Sequence, residues 1–280
     1  GDIGDYKKLN HIFTKYKIKV IIHFAGKIIA EESVKNPAEY FKNNVVKGIN
    51  LLNSAVKSKI KYFIYSSSAG IYGISKKSPI KENFPKKPVN PYGTTKLIFE
   101  QILESYKNSY GLNYISLRYF NAAGASLDGT MGEAHKIETH LIPNILFTAL
   151  GKRKKFKIYG NQYQTKDGTT VRDFVHVKDL ATAHTLALQK LEKSNYSVAY
   201  NLGTNKGVSI LEVLHSVESS TNKKLKTEVC QNREGDVPVL VADAKKANKE
   251  LKWKPKYSDI NTIIETAWLW HKNHPNGYKK

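Results

Sequence analysis

Cysteine is almost missing from this chain. The single Cys230 excludes an internal disulfide framework and every cysteine-rich zinc site, and it fits a reducing, cytoplasmic setting. No apolar run is long enough to span a bilayer, so no membrane partner is expected. The nine histidines are scattered, with no His-x-x-x-His pair in a metal context, and no metal is expected. Acidic residues are scarce. Only 24 Asp and Glu stand against 45 Lys and Arg, a net charge of +21. An excess of that size raises the question of a polyanionic partner. The lysines are spread along the whole chain, however. Even the densest run, Lys152-Arg153-Lys154-Lys155-Phe156-Lys157, reads as solvated surface, so no nucleic acid is expected.

The 280 residues suit one large or two modest domains with ample core. Helical and strand patterns alternate through the first half. A helix at 6–16 leads to a buried strand at 20–24. A helix at 37–58 carries Tyr40, Phe41, Val45, Ile49, Leu52 and Ala55 on one stripe. Strands follow at 62–65 and 114–120, with a helix at 91–109 between them. This β-α-β-α-β order predicts a parallel sheet with helices on both faces. Right-handed crossovers then align the strand C-termini, the edge where ligands of open α/β sheets bind. Gly26, Ser66–Ser68 and Asn121 fall at such ends. After Asn121 the chain turns to glycine, lysine and turn residues. Helices are expected near 142–150, 179–191, 210–221 and 260–273, and a short strand at 200–202.

The residues with the most chemical content are Tyr92 and Lys96. Asn90 is a good N-cap, Pro91 a good first helical residue, and Gly111 a plausible stop. On that helix the four-residue spacing puts a phenol and an ammonium on one face, one turn apart. A nearby cation favours the phenolate, and an ionised phenol can take a proton from a hydroxyl. Tyr72 and Lys76 share the spacing, but they sit in a Gly73, Ser75–Pro79 loop context.

Several longer segments carry a resemblance. They are His23-Phe24-Ala25-Gly26, Asn43-Asn44-Val45, Ser66-Ser67-Ser68-Ala69-Gly70-Ile71-Tyr72-Gly73 and Pro91-Tyr92-Gly93-Thr94-Thr95-Lys96. Further on come Leu117–Ala125, Asp167–Leu180, Tyr200-Asn201-Leu202-Gly203 and Arg233-Glu234-Gly235-Asp236. Across essentially its whole length the chain resembles the extended short-chain dehydrogenase/reductase family, in particular its nucleotide-sugar epimerases. The resemblance implies a Rossmann-like doubly wound sheet with a smaller C-terminal α/β lobe. Residues 1–121 with about 174–191 would hold NAD, and 122–173 with 192–280 would hold the UDP-sugar. It implies inversion at C4 of a UDP-hexose, interconverting UDP-glucose and UDP-galactose through a 4-keto sugar, and a homodimer paired through the helices at 37–58 and 91–109.

Residue roles follow from the same resemblance. Tyr92, Lys96 and Ser68 would be catalytic. Asp2, Ile3, Phe24, Ala25, Gly26, Asn43, Ser66 and Phe120 would line the cofactor, together with Tyr92 and Lys96. Asn121, His140, Leu141, Arg172, Arg233, Asp236 and Leu240 would join Ser68 in holding the substrate, the arginines as bidentate donors to the diphosphate.

There are departures from the pattern. Family members open on a Gly-x-x-Gly-x-x-Gly turn that cradles the pyrophosphate. Here Gly1-Asp2-Ile3 matches a later loop, so the chain reads as an N-terminally truncated form lacking roughly 30 to 60 residues. Such a chain is expected to expose a raw sheet edge and to hold its cofactor weakly. Ile28 replaces a frequent cofactor-contacting lysine. Leu240 replaces a frequent tyrosine, and the smaller side chain predicts room for an N-acetylhexosamine. Family dehydratases follow the strand-end residue with an acidic pair. Ser68 is followed by Ala69-Gly70, which argues against dehydration. A basic, non-catalytic binding module would instead show steeply salt-dependent polyanion binding.

Overall fold

The computed structural model describes residues 1–75, 77–232 and 236–278. In chain order its elements begin with helix α1 (Tyr6–Lys15), strand β1 (Val20–His23) and helices α2 (Ala30–Lys35) and α3 (Pro37–Phe41). A π-helical turn (Lys42–Val46) joins α3 to α4 (Lys47–Lys57). Then come β2 (Tyr62–Ser68), α5 (Pro91–Tyr110), β3 (Asn113–Tyr119), β4 (Asn121–Ala123), α6 (Leu141–Ala149), β5 (Phe156–Tyr159), β6 (Val171–Arg172) and β7 (Phe174–His176). The remainder is α7 (Val177–Lys193), β8 (Val198–Leu202), β9 (Val208–Ser209), α8 (Ile210–Thr221), β10 (Thr227–Cys230), β11 (Val239–Leu240), α9 (Lys245–Glu250) and α10 (Ile260–Asn273).

The main sheet has the order β1-β2-β3-β8, with every pairing parallel. Side chains alternate across it, as the period of two requires. Phe63, Tyr65 and Tyr114 pack with Leu51, Leu52, Phe99 and Leu103 from α4 and α5. Their neighbours Ile64, Ile115 and Leu117 point the other way, toward Ala183, Ala187 and Leu191 of α7 and Trp253. Helices thus cover both faces, as the alternating pattern predicted. β1 and β8 are the edge strands of this sheet.

The second core lies over the C-terminal edge of the sheet. It joins α6, α8 and α10 through Ile142, Ile145, Leu146, Val213, Val217, Ile263 and Ile264. Three small sheets flank it: β4 with β7, β5 with β10, and β6 with β9 and β11. Buried Asp173 connects the two parts. Its carboxylate accepts from the backbone N–H of Thr204 at 2.8 Å and of Ala242 at 3.1 Å, and its carbonyl accepts from Asn121 Nδ2 at 2.9 Å. Burial pushes this carboxyl up to about 6.

Three expectations change. β8 is a strand of the main sheet, and α9 with Trp253 shares its core. A boundary at 192 therefore gives residues 198–202 to the wrong part. The helix expected at 37–58 is interrupted by the π turn, where Asn44 is buried. The glycine- and lysine-rich stretch also contains strand β5, whose exposed Lys157 obscures the apolar Phe156 and Ile158.

Candidate functional site

Local sequence places Tyr92. The Asn90 side chain accepts from Gly93 N–H at 2.9 Å, Pro91 fills the first turn, and Gly111 closes α5 in the left-handed conformation. Gly93 has a second task. A Cβ there would lie 2.5 Å from the Gly70 carbonyl oxygen, so only glycine lets the head of α5 approach the turn after β2. That approach brings Tyr92 to Ser68. The Ser68 hydroxyl accepts from Gly70 N–H at 3.1 Å and lies close enough to Tyr92 to draw down its proton affinity.

Lys96 lies one turn on, almost fully buried. Its Nζ donates to the Ser66 carbonyl at 2.7 Å, 5.0 Å from the Tyr65 ring centre and 5.7 Å from that of Tyr92. Burial pulls its ammonium down to about 8, against a smaller opposing pull from Glu100. Tyr92 is pushed up by burial, and the Ser68 hydrogen bond only partly offsets this. Desolvation therefore dominates at Tyr92, so the phenolate that a nearby cation favours needs more than the chain's own groups.

The frame beneath this pair is a buried polar network. Arg118 on β3 donates to Glu100 on α5 through Nη2 at 2.7 Å and Nε at 2.9 Å, and to Tyr72 Oη at 2.7 Å. Tyr72 donates to Asn201 Oδ1 at 2.7 Å, and Ser67 to Glu100 at 2.6 Å. Tyr72 is thus a structural phenol, and Lys76, the other half of that rival pair, lies outside the described residues. Nearby, Asn44 clamps the chain after β1. It accepts from Lys27 N–H at 2.8 Å, donates to Lys27 carbonyl at 2.9 Å and reaches Thr95 Oγ1 at 3.2 Å.

A single cleft of about 1550 Å³ runs along the C-terminal edge. It brings together Phe24, Ser66, Ser68, Tyr92, Lys96, Phe120, Asn121, His140, Leu141, Arg172 and Asp236. The structure does not bring Asp2, Ile3, Ala25, Gly26, Asn43 or Leu240 into that lining. Asp2 bonds Lys47 and the Gly4 N–H at the surface. Asn43 donates to Asn44 Oδ1 at 3.0 Å, so the neighbour does the anchoring. Leu240 packs with the cluster of Ala69, Tyr72 and Phe120. Ile28 does line the cleft, while Lys27 turns to Glu32 at 3.5 Å. Arg233 lies outside the described residues.

Also in the lining, Arg172 donates to the Val237 carbonyl at 2.7 Å and pairs with Asp236 at 3.3 Å. Burial lowers its guanidinium from the ordinary value. Three residues that the sequence reading passed over surround His140. Glu133 and Glu138 hold its ring and raise it to about 10, and His135 stands beside them. Their sequence signal is a doubled Glu-x-His, at 133–135 and 138–140, in place of the His-x-x-x-His sought.

Comparison with known proteins agrees with this geometry. A family model described as GDP-mannose 4,6 dehydratase matches residues 1–266. A UDP-glucose 4-epimerase of Lacticaseibacillus casei is 48% identical over 278 residues, covering 99% of this chain and 84% of that protein. Two solved structures superpose closely. UDP-glucose 4-epimerase from Brucella ovis in complex with NAD has a TM-score of 0.94 at 43% identity, over 96% of this chain and 82% of the other. The enzyme from Bifidobacterium longum in complex with NAD+ and UDP has a TM-score of 0.93 at 38% identity, over 99% and 83%.

Proposed function

Because the chain belongs to the UDP-glucose 4-epimerase family, we propose that this cleft interconverts UDP-glucose and UDP-galactose with NAD as the cofactor. One observation carries the reading: Ser68, Tyr92 and Lys96 line the same cleft as Arg172 and Asp236. The residues present fit the cofactor. Lys96 is a buried ammonium with three N–H donors. One is committed to Ser66, and no carboxylate among the described residues pairs with it. A ribose bearing hydroxyls suits the donors that remain. Phe24, Ser66 and Phe120 complete that wall. Bound NAD supplies the hydride acceptor and donor, and its oxidised ring adds the positive charge that Lys96 alone does not provide.

The chain's own residues handle the proton. Tyr92 Oη takes it from the 4-hydroxyl, with Ser68 bridging sugar oxygen and phenol, and returns it once the 4-keto sugar has presented its other face. Arg172 serves the diphosphate, and Asp236, already in contact with it, the uridine ribose. Asn121 has committed one amide N–H to the Asp173 carbonyl and keeps the other for the ligand. His140 and Leu141 wall the sugar end. Ser68 is followed by Ala69 and Gly70 in a tight turn, so the site lacks the acid–base pair that dehydration needs there. Incubating the chain with NAD and UDP-galactose should yield UDP-glucose. UDP-galactose recovered unchanged would reject the reading.

Lys96 gives a separable prediction. Its folded value of about 8 lies below the ordinary 10.5, so at neutral pH the fold carries a desolvated ammonium. That penalty is complete below pH 8 and fades as pH rises toward the unfolded value. Lys96→Met should therefore raise stability at pH 7, by up to about 3 kcal/mol, while turnover falls. Urea melts and initial rates on the same preparation test it, and a variant both less stable and fully active contradicts it. In the parent, activity that depends on the charged lysine declines as pH rises through about 8.

No described helix is long and apolar enough to cross a membrane. A cytoplasmic setting and a homodimer complete the proposal, two copies meeting through α4 and α5, which pack side by side. Sedimentation at twice the chain mass is expected. A monomer at micromolar concentration would remove the dimer.

A further inference from the structure

We infer that Glu133, His135, Glu138 and His140 form a four-ligand site for one divalent transition ion of the zinc class. Each offers a ligand atom, and all four atoms lie within 4.8 Å of one another. The spacing is the argument. A tetrahedral zinc ion with bonds near 2.0–2.1 Å sets its ligands about 3.3 Å apart. Here His135 Nδ1 lies 2.8 Å from Glu133 Oε1 and 3.6 Å from Glu138 Oε2, and His140 Nδ1 lies 3.4 Å from Glu138 Oε1. These distances straddle the ideal. Both imidazoles aim the same nitrogen, Nδ1, at the same oxygen of Glu133. Four ligand atoms gathered within that span are placed to share one cation.

The supporting backbone is fixed before any ion arrives. Trp270 Nε1 donates to the Glu133 carbonyl at 2.8 Å. Tyr278 Oη accepts from Gly132 N–H at 3.1 Å. A Cβ on Gly132 would come within 2.2 Å of the Trp270 ring, so glycine seats this segment against α10. On the other side, His140 N–H donates to Glu138 Oε1 at 2.8 Å, and α6 begins at the next residue. The Glu138 side chain is only 3% exposed, whereas the two imidazoles are 40% and 48% exposed, which leaves a path for entry.

The donor set decides the class of ion. Two imidazoles and two carboxylates suit Zn²⁺ or Co²⁺, while Ca²⁺ and Mg²⁺ seek oxygen alone. With four protein ligands the site is closed, so its role is to hold: the ion staples residues 133–140 to the head of α6, on the wall that His140 and Leu141 give to the cleft. This assignment stands on the four side chains and holds whatever substrate the cleft accepts.

Cobalt titration of the tag-free, chelator-washed chain tests it, followed by visible absorption and by elemental analysis after dialysis. The expected result is one Co²⁺ per chain with the intense bands of a tetrahedral site, displaced by one equivalent of Zn²⁺. His135→Ala should weaken uptake by about 100-fold or more, and Glu133→Gln should do likewise. His215→Ala, which removes an exposed imidazole on α8, should leave uptake unchanged. Added zinc should raise the melting temperature of the parent and not of His135→Ala. Failure of the parent to take up cobalt saturably at micromolar concentration would overturn the assignment. So would uptake that persists in both ligand variants.

Discussion

Tyr92→Phe is expected to lower turnover of UDP-galactose by ~10²–10⁴, the usual worth of a positioned acid–base group, while UDP binding stays unchanged. The substitution keeps the ring and removes one oxygen. The ring fills the space beside Gly70, where the nearest Tyr92 carbon is 3.7 Å from a Cβ built on that glycine. Packing at the head of α5 therefore survives. The hydroxyl is the part of Tyr92 that Ser68 influences, and the other phenol beside a cleft serine, Tyr119, is engaged with His184 at 2.6 Å. The Arg172–Asp236 pair is untouched, because it sits on β6 and on the segment before β11, whereas Tyr92 sits on α5. Initial-rate kinetics combined with calorimetric titration of UDP separate the two effects. A drop in kcat at constant UDP affinity is the expected pattern. Parent-like turnover would take Tyr92 out of the chemistry, and equal loss of binding would make it a packing residue.

The electrostatics sharpen that expectation. Burial raises the phenol, and Lys96 is itself lowered to about 8. Tyrosine and lysine alone do not make a base at neutral pH. The motif supplies position, and the remaining positive charge has to come with the bound cofactor. A local pattern can show that two side chains share a helix face. It cannot show how dry that face is, and dryness decides the direction of the shift.

The same distinction separates what was legible from what was not. Helix α5 was readable because Asn90, Pro91 and Gly111 act within a few residues of themselves, and each does what its chemistry predicts. The parallel sheet was readable because strand and helix periods alternate. The π turn was not. Within it Asn44 is buried and holds the Lys27 backbone from 17 residues away, a contact no local pattern reveals. The sequence reading chose Asn43, since adjacent amides look alike until a fold decides which is buried. Strands β6, β9 and β11 are two residues each and carry no period to detect. β8 was detected but placed in the wrong half, because a strand's sheet is set by its partner and not by its sequence. The Glu133–His140 cluster was missed for a related reason. Its spacing fits neither one face of a helix nor one face of a strand, and only a loop pinned by Trp270 makes its four donors converge.

Glu100→Ala is expected to cost about 3–5 kcal/mol, the usual penalty for leaving a buried charge without its partner. Against a total of about 5–15 kcal/mol, that approaches unfolding. The charge left behind is Arg118, whose side chain is 4% exposed and which has Tyr72 and the Glu82 carbonyl as its remaining described acceptors. Both are neutral, so neither replaces a bidentate carboxylate. Removing both charges tests the cause. Glu100→Leu with Arg118→Met discards the pair and the desolvation it carries, and should recover most of the lost stability. Urea denaturation of the two single variants and the double gives the coupling directly. Single variants that melt like the parent would show the pair to be dispensable. A double variant as unstable as Glu100→Ala would shift the importance to Ser67 and Tyr72, which bond Glu100 and Arg118, and to Asn201, which accepts from Tyr72. The site feels the change as well, because Glu100 is one turn beyond Lys96 on α5 and is the only described group opposing the fall of that ammonium's proton affinity. Glu100→Ala should therefore lower the Lys96 value further. In whatever fraction remains folded, the alkaline decline of activity should then begin below pH 8, an effect that lost stability alone does not produce.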